Sequence, residues 1–456
     1  MTRDLTRGSI WKHIFILAVT TFLGMGIQQL YSLADTAIVG KVLGADPLAG
    51  VGATGSLNFM IVFFCIGICL GFAIPVSREF GAENYQQMRR YMANGIWLSI
   101  ILSVVMTVIT CLFTRQFLIW LNTPSDILDY ACDYFILICA GLTFTIFYNL
   151  LSSVLRGLGD TRTPLIAIVI SSLVNIGLDF FFLITVPMGV AGAALATVLA
   201  QGLSGVFCLI VLIWRFPIMH IRKAEWRMDR AMVKHLLGYG LPIGLQSSIT
   251  AIGTLILQSS VNSFGVEAVA GMTVATKISF FFDTPMESMG QIMTPFTAQN
   301  MGARTYHRIK EALIKASIAG FICAIIEFPI IYFFGRSFVH VFLESPSPQV
   351  VEYAYISIIC VGASSILLVI VNAFRFTIQG MGHTRLAMIS GVLEMIGRIF
   401  AALFLSRIWG YTGIALASTV AWIMADCFLI PMFFISYRKL TQSKETIHCP
   451  IREPSP

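Results

Sequence analysis

Long, uninterrupted apolar segments recur along nearly the whole chain, separated by short polar connections. About 20 apolar residues cross the ~30 Å hydrocarbon core of a bilayer as an α-helix. Because the runs are continuous and do not alternate every second residue, they predict helices and not the strands of a membrane barrel. Twelve spans are predicted, at about residues 14–38, 49–75, 91–113, 131–154, 164–186, 190–214, 236–263, 269–298, 312–335, 352–378, 386–407 and 410–436.

Composition supports an all-α integral membrane protein. Of 456 residues, 57% are hydrophobic and 12% are charged, whereas soluble domains average about 45–50% and about 25%. A soluble enzyme is therefore excluded, and no catalytic residue or resident cofactor is predicted. The sequence contains no GxxxxGK[ST] motif for binding ATP phosphates, so the energy is expected to come from an ion gradient or from a partner protein.

The positive charges indicate the orientation of the chain. If the N-terminus is cytoplasmic, 23 of the 30 Lys and Arg residues fall on the inner side, four fall outside and three lie within spans. The positive-inside rule then predicts that both termini are cytoplasmic. It also explains the net charge of +7 without a nucleic-acid partner.

The two halves of the chain are repeats. GADPLAG from Gly44 recurs as GVEAVAG from Gly265, and GLGDTR from Gly157 recurs as GMGHTR from Gly380. Six spans per repeat is an even number, so the halves have the same orientation, as in transporters with a site between parallel lobes. We predict an N-terminal lobe at 1–214, a cytoplasmic linker at 215–235, a C-terminal lobe at 236–438 and a disordered cytoplasmic tail at 439–456.

Four oxygen-bearing side chains of the N-terminal lobe are predicted to share one depth. Asp35 lies about 9 Å below the outer boundary, and Asp179 and Thr197 lie about 12 Å below it, while Asn175 is one helical turn from Asp179. Hard oxygen ligands suit a small cation, and two close carboxyl groups also take up protons. We therefore predict a site for transported Na⁺ or H⁺.

A purely structural role for these four residues is the alternative. Asp35 would then cap a helix end, Asp179 would pair with Asn175, and Thr197 would bond to its own backbone. The second lobe argues against it, because the fold accepts different residues at the equivalent positions. These are Ile256 for Asp35, Arg398 for Asn175, Ala402 for Asp179 and Ser418 for Thr197.

The eighth span carries candidate substrate-binding residues. Asp283 and Glu287 are four residues apart and would attract a cationic substrate to a cleft, unless they pair with Lys277. Flexible thioethers and aromatic rings suit a promiscuous pocket, although such a stripe is also typical of ordinary packing. The stripe comprises Met286, Met289, Met293 and Phe282.

A third group of charges lies in the tenth and eleventh spans. Glu394 and Arg398 are spaced to form a buried ion pair, which Arg375 could join. The group has either a structural role or a role in gating and substrate binding. Glu327 and Asp426 are interpreted as partners of neighbouring helices.

Several motifs in a fixed order carry a family resemblance. They are LYSLADTAIVG around Asp35, VNIGLDFFF around Asp179, RGLGDTRTP from Arg156, GVAGAALATVLA from Gly189, and QNMGA from Gln299. Together they resemble multidrug and toxic compound extrusion (MATE) transporters over about residues 10–438. The first span departs from some members because it contains no proline.

The resemblance implies a V-shaped pair of lobes that exports organic, often cationic amphipathic compounds in exchange for Na⁺ or H⁺. It places the cation site of similar members on Asp35, Asn175, Asp179 and Thr197. We expect a monomer in a bacterial cytoplasmic (inner) membrane. The alternatives are a flippase of lipids or lipid-linked oligosaccharides, which would need a strongly cationic cleft, and a membrane-embedded structural or receptor protein.

Overall fold

The computed structural model describes residues 4–121, 123–343 and 345–447, with side chains described as far as residue 442. The described residues form helices and no strand, which confirms the predicted all-α fold. The first half contains α1 (Ile10–Leu43), α2 (Ala45–Ala53), α3 (Gly55–Gly81), α4 (Tyr85–Trp120), α5 (Ser125–Ala140), α6 (Leu142–Gly157), α7 (Arg162–Phe180) and α8 (Val190–Arg215).

The second half repeats this order after two short 3₁₀ turns, Pro217–Met219 and Lys223–Trp226. Its helices are α9 (Arg230–Asn262), α10 (Val266–Gln291), α11 (Met293–Gly302), α12 (Tyr306–Phe342), α13 (Pro348–Ala363), α14 (Ser365–Gly380), α15 (Thr384–Phe400), α16 (Ser406–Trp409), α17 (Tyr411–Ala415) and α18 (Ala417–Ile447). A π-helical turn follows α7 at Phe181–Thr185 and α15 at Ala401–Leu405.

The described helices account for the predicted spans. Ten helical segments are long and apolar enough to cross a membrane, and α5 with α6 makes an eleventh that bends by 47°. α10 has 26 residues but is less apolar, because it carries Lys277, Asp283 and Glu287. The polar residues predicted for the eighth span therefore lie on a long helix that is less apolar than the ten segments above.

Two boundaries differ from the sequence prediction. α9 begins at Arg230, so the end of the predicted linker is helical. α18 continues to Ile447, so the first half of the predicted disordered tail is also helical, while 448–456 lies outside the described residues. In both places a membrane helix extends beyond its apolar segment into polar sequence.

The lobes meet at the end of the molecule that carries the N-terminal segment, which we call the terminal end. There, Ile74 of α3 packs with Tyr239 and Ile243 of α9 and with Ala298 of α11. At the opposite end, the described apolar clusters around Phe135, Val190, Ile358 and Ile414 each draw on a single lobe. The space between the lobes therefore opens away from the terminal end.

Helix α1 belongs to both lobes. Its first half contributes Ile14 and Leu17 to the core of the second lobe, against Phe296 and Leu313. Its last turns contribute Val39 to a cluster of the first lobe. A movement of α1 relative to one lobe would therefore change its packing against the other lobe.

The N-terminal segment is fixed to the terminal end. Leu5 is fully buried; its N–H donates to Gln299 Oε1 at 2.9 Å, and its carbonyl accepts from Asn300 Nδ2 at 3.2 Å. Gln299 Nε2 also donates to the carbonyl of Gly157 at 2.7 Å. One amide side chain thus joins the chain start, the second lobe and the first lobe.

The segment between the lobes is held against α4. Arg89 donates to both carboxylate oxygens of Glu225, and Arg90 pairs with Asp229 at 2.9 Å. The hydrogen bonds from Arg89 lower the pKa of Glu225 below its ordinary value. The connection is therefore an ordered part of the first lobe's surface.

Glycines permit the close approach of the lobes. A Cβ on Gly81 would overlap the backbone of Gln299, and a Cβ on Gly302 would overlap the backbone of Arg78. The two contacts are reciprocal, as expected when two copies of one repeat face each other. Backbone cannot rotate out of the way as a side chain can.

We expect Gly302→Val to lower the free energy of unfolding by about 1–3 kcal/mol, because overpacking would separate the lobes at the terminal end. Thermal unfolding in detergent, followed by size-exclusion chromatography, measures the change. Gly52→Val is the matched control, since nothing lies within 4 Å of a Cβ at Gly52. Equal melting temperatures for the two variants would contradict the packing argument.

Candidate cation and substrate sites

Two acidic side chains meet inside the first lobe. Asp35 lies on the second half of α1 and Asp179 lies on the last turn of α7, and their carboxyl groups are close enough to interact with each other. Asp179 is fully buried. The π-helical turn that begins at Phe181 directly follows this residue, and such turns are frequent at functional sites.

Asn175 and Thr197 complete the predicted group. Asn175 is 1% exposed; its amide is oriented so that the NH₂ group donates to Asp179 Oδ2 at 3.0 Å and the oxygen accepts from the Thr197 N–H at 3.2 Å. The structure therefore brings together all four residues selected from the sequence. They come from α1, α7 and α8 of one lobe.

Two tyrosines were missed by the sequence analysis. The Tyr31 side chain lies close enough to the Thr197 side chain to interact with it, and Tyr31 is one turn before Asp35, so its i, i+4 spacing was a usable signal. Tyr134 on α5 lies close enough to Asp35, Tyr31 and Asp179 to interact with them electrostatically. Nothing in the sequence near Tyr134 indicates this contact, because it depends on how α5 packs.

The group has unused acceptors and no fixed positive charge. Asp35 Oδ1 and Asp179 Oδ1 are buried without a donor. Among the described residues, no Lys, Arg or His acts electrostatically on either carboxyl group. Two carboxylates in such surroundings repel each other, and a proton or a small hard cation between them removes the repulsion.

The second lobe encloses a cavity of about 370 Å³. Asp283 and Glu287 of α10 line one part of its wall, and Arg375, Glu394 and Arg398 line another. Asp283 Oδ1 has no donor, whereas Glu287 accepts from Gln291 at 3.0 Å. The two acids on α10 therefore face an internal cavity of the second lobe.

Glu394 lies between the two arginines of this cavity. It pairs with Arg375 and, at 3.5 Å, with Arg398. All three side chains are nearly buried, with 2% of Glu394 and 8% of each arginine exposed. One carboxylate thus neutralises only part of the charge of two guanidinium groups. The acids on α10, which line the same cavity, supply further negative charge.

The remaining residues considered on the eighth span have other surroundings. Met286 and Met293 are buried in apolar clusters of the second lobe, Met289 packs against one of them, and Phe282 packs beside Phe338. None of the four lines the described cavity. Their packing therefore keeps them inside the lobe.

The other intramembrane charges contact neighbouring helices or solvent. Lys277 is exposed and forms no ion pair with Asp283 or Glu287 among the described contacts. Glu327 accepts from Ser365 at 3.2 Å. Asp426 interacts electrostatically with Arg375, which adds a third helix to the charge group of the second lobe.

The sequence of both lobes identifies the family. Residues 21–181 and 242–404 match the sequence model of the MatE family. This chain belongs to the MatE family. The resemblance drawn from the motifs is confirmed, and the members of this family are membrane transporters and not enzymes.

Relatives and solved structures agree with this MatE assignment. The chain is 25% identical to "Probable multidrug resistance protein YpnP" of Bacillus subtilis (strain 168), over 93% of this chain and 95% of that protein. It is 25% identical to "Probable multidrug resistance protein YoeA" of the same organism, over 75% and 76%. An outward-facing multidrug resistance MATE family transporter superposes with a TM-score of 0.89 at 24% identity, covering 97% of this chain and 99% of that chain.

We expect Asp35→Asn to increase the free energy of unfolding by about 1–2 kcal/mol in sodium-free buffer at pH 8. An amide at this position would donate to the unpaired oxygen of Asp179 and remove one negative charge. At pH 5 the gain should shrink, because the wild-type carboxyl groups then take up protons. Thermal unfolding at both pH values measures the effect.

Asp133→Asn is the matched control for this measurement, because it removes an exposed acid of the same lobe. It should leave the melting temperature unchanged at both pH values. A gain in stability that is equal for Asp35→Asn and Asp133→Asn would show that net charge, and not the carboxyl pair, is responsible.

Proposed function

We propose that this protein exports organic cations in exchange for Na⁺ or H⁺, by alternating access between two arrangements of its lobes. The observation that carries the proposal is the buried pair of Asp35 and Asp179, which has free acceptor oxygens and, in the part of the chain that the structure describes, no basic partner. A buried carboxylate pair is unfavourable by itself. A transporter can use that instability, because an ion that binds in only one part of the cycle stabilises one arrangement of the lobes over the other.

Either ion would be held by the same residues. A proton would be shared by the two carboxyl groups, while Na⁺ would be coordinated by oxygens of Asp35, Asp179, Asn175 and Thr197. In both cases the bound ion draws α1 and α7 together. The ion is transported cargo, and no resident cofactor is proposed.

The substrate is proposed to bind near the acids of α10. Asp283 and Glu287 line a cavity whose walls also include Phe280 and Trp422. Carboxylates and aromatic faces both attract organic cations. A cavity of about 370 Å³ is within the range of small-molecule sites. The relatives named above are multidrug resistance proteins, which supports small organic compounds as cargo.

Helix α1 is suited to couple the two sites. Asp35 lies on its outer half, while Ile14 and Leu17 of its first half pack into the second lobe. Binding of an ion at Asp35 would therefore change how the second lobe sits on the first. A full switch from 1:99 to 99:1 needs about 5.5 kcal/mol, and the membrane potential supplies ~2.3 kcal/mol per charge per 100 mV.

The proposed setting is the inner membrane of a bacterial cell, with both termini cytoplasmic. In this orientation the space between the lobes opens to the outside, because the lobes meet at the terminal end. A monomer would suffice, since one chain supplies both lobes and both sites.

A lipid-linked oligosaccharide flippase is less favoured. A pyrophosphate headgroup calls for an excess of positive charge. The wall of the cavity carries three acids, Asp283, Glu287 and Glu394, but only two bases, Arg375 and Arg398.

Asp179→Asn should abolish uphill export, because the remaining single acid cannot complete the ion site. Uptake of an ethidium-type dye into inverted vesicles, driven by an imposed Na⁺ or H⁺ gradient, is the assay. Ile256→Val alters the second-lobe counterpart of Asp35 and should retain transport. Uphill transport by Asp179→Asn at the wild-type rate would remove the coupling role, and the gradient that drives the wild type identifies the ion.

Glu287→Gln should raise the half-saturating concentration of a cationic dye about tenfold or more, since a charged hydrogen bond contributes about 1.5–3 kcal/mol. A neutral dye should be affected less than threefold. Glu267→Gln, which neutralises an exposed acid of the same helix, is the control. Equal effects of Glu287→Gln on both dyes would contradict charge recognition.

A further inference from the structure

The repeats can be aligned through their backbone. Gly44 and Gly265 both have φ of 95°, Glu83 and Arg304 both have φ of 57°, and Gly189 and Gly410 have φ of 61° and 56°. A positive φ is uncommon for residues other than glycine, so Glu83 and Arg304 mark equivalent turns. These three pairs are 221 residues apart, whereas Gly159 and Gly382, with φ of 83° and 93°, are 223 residues apart and set the register of the helix that follows them.

In this alignment, the cavity of the second lobe lies at the position equivalent to the proposed cation site of the first lobe. Asn175, Thr197 and Tyr134 correspond to residues 398, 418 and 357, and those three residues line the cavity. The fifth span of each lobe also contains a π-helical turn in its last part, at Phe181–Thr185 and Ala401–Leu405. The two places are thus the same part of the repeat.

The charges at the two places are different. The first-lobe acids Asp35 and Asp179 are replaced in the second lobe by Ile256 and Ala402, and Arg398 takes the position of Asn175. Arg398 is 8% exposed, and its Nη1 has no acceptor. The aliphatic part of the Arg398 side chain packs against Gly253 of α9. A Cβ atom built at Gly253 would lie 3.4 Å from Arg398 Cδ.

Resting on the proposed function, we infer that Arg398 is a tethered cation that permanently occupies the second-lobe counterpart of the exchangeable ion site. A guanidinium group stays charged at every physiological pH. Covalently attached and paired with Glu394, it balances negative charge but cannot be released. Only the first lobe then exchanges an ion, and Arg398 fixes the number of ions moved in each cycle.

The test recreates the first-lobe residues in the second lobe. The double variant Arg398→Asn with Ala402→Asp restores the amide and the acid at the matching positions beside Ser418. Ala402→Asp alone is the matched control, because the new acid lies one turn from Arg398 and is neutralised by it. Bound ions per purified protein are counted by equilibrium dialysis with radioactive Na⁺ at pH 8, and bound protons by titration of unbuffered protein.

We expect one ion per protein for the wild type and for Ala402→Asp, and two ions for the double variant. One ion in the double variant, when it elutes as a folded monodisperse protein, would overturn the inference. If the double variant does not fold, Arg398→Gln decides in the same way: two ions support the inference and one overturns it. Arg398→Lys, which retains the charge, should bind one.

The wild type and Asp179→Asn separate this inference from the proposed function. If Asp179→Asn loses the wild-type ion and the double variant binds a single ion, the proposed first-lobe site is supported and only the role of Arg398 is overturned. An ion count that Asp179→Asn does not change would instead remove the proposed function.

Discussion

The first lobe buries two carboxyl groups close to each other, and none of the described basic side chains pairs with either of them. Asp179 is fully buried, and the only donor reaching its Oδ2 among the described residues is the amide of Asn175. In lipid, a charge of this kind is tolerated only if something neutralises it. Most buried acids gain a fixed partner, as Glu394 does in the second lobe. The first-lobe pair has no such partner among the described residues, and we therefore propose that a transported ion neutralises it.

The proposed ion site matters because of where α1 lies. A site built from helices of one lobe alone would respond to its ion without any effect on the other lobe. Asp35, however, is on a helix whose first half packs against Phe296 and Leu313 of the second lobe. A ligand shifts a conformational equilibrium only through differential contacts. The packing of α1 on both lobes supplies such contacts. The hydrogen bonds of Leu5 and Gln299 also connect the two lobes at the terminal end.

The four residues that lie together in the first lobe could be selected from the sequence because helix geometry gives their approximate depth. Asp179 and Asn175 share a face by spacing, and Asp35 and Thr197 follow from 1.5 Å per residue. Tyr134 could not be found in this way, since its position depends on the packing of α5. The surroundings of Asp283 and Glu287 were also beyond the sequence, because hydropathy gives the depth of a residue but not the direction in which it points. The bend between α5 and α6 and the extension of α18 were missed for a related reason, as apolar composition neither reveals a break nor marks where a helix ends.

Gene duplication explains the symmetry of the backbone but not the asymmetry of its charges. The matching φ angles at Gly44 and Gly265 show that both halves retain the same turns, so either half could hold an ion site at its fifth and sixth spans. If both did, two ions would have to enter and leave together, and the state with only one bound would leave an unbalanced acid in the other lobe. In the role that we infer for it, Arg398 would remove this half-filled state from the second lobe, because it is always charged. The second cavity would then retain its acids for a cationic substrate, and the ion and the substrate would not need to compete for one site.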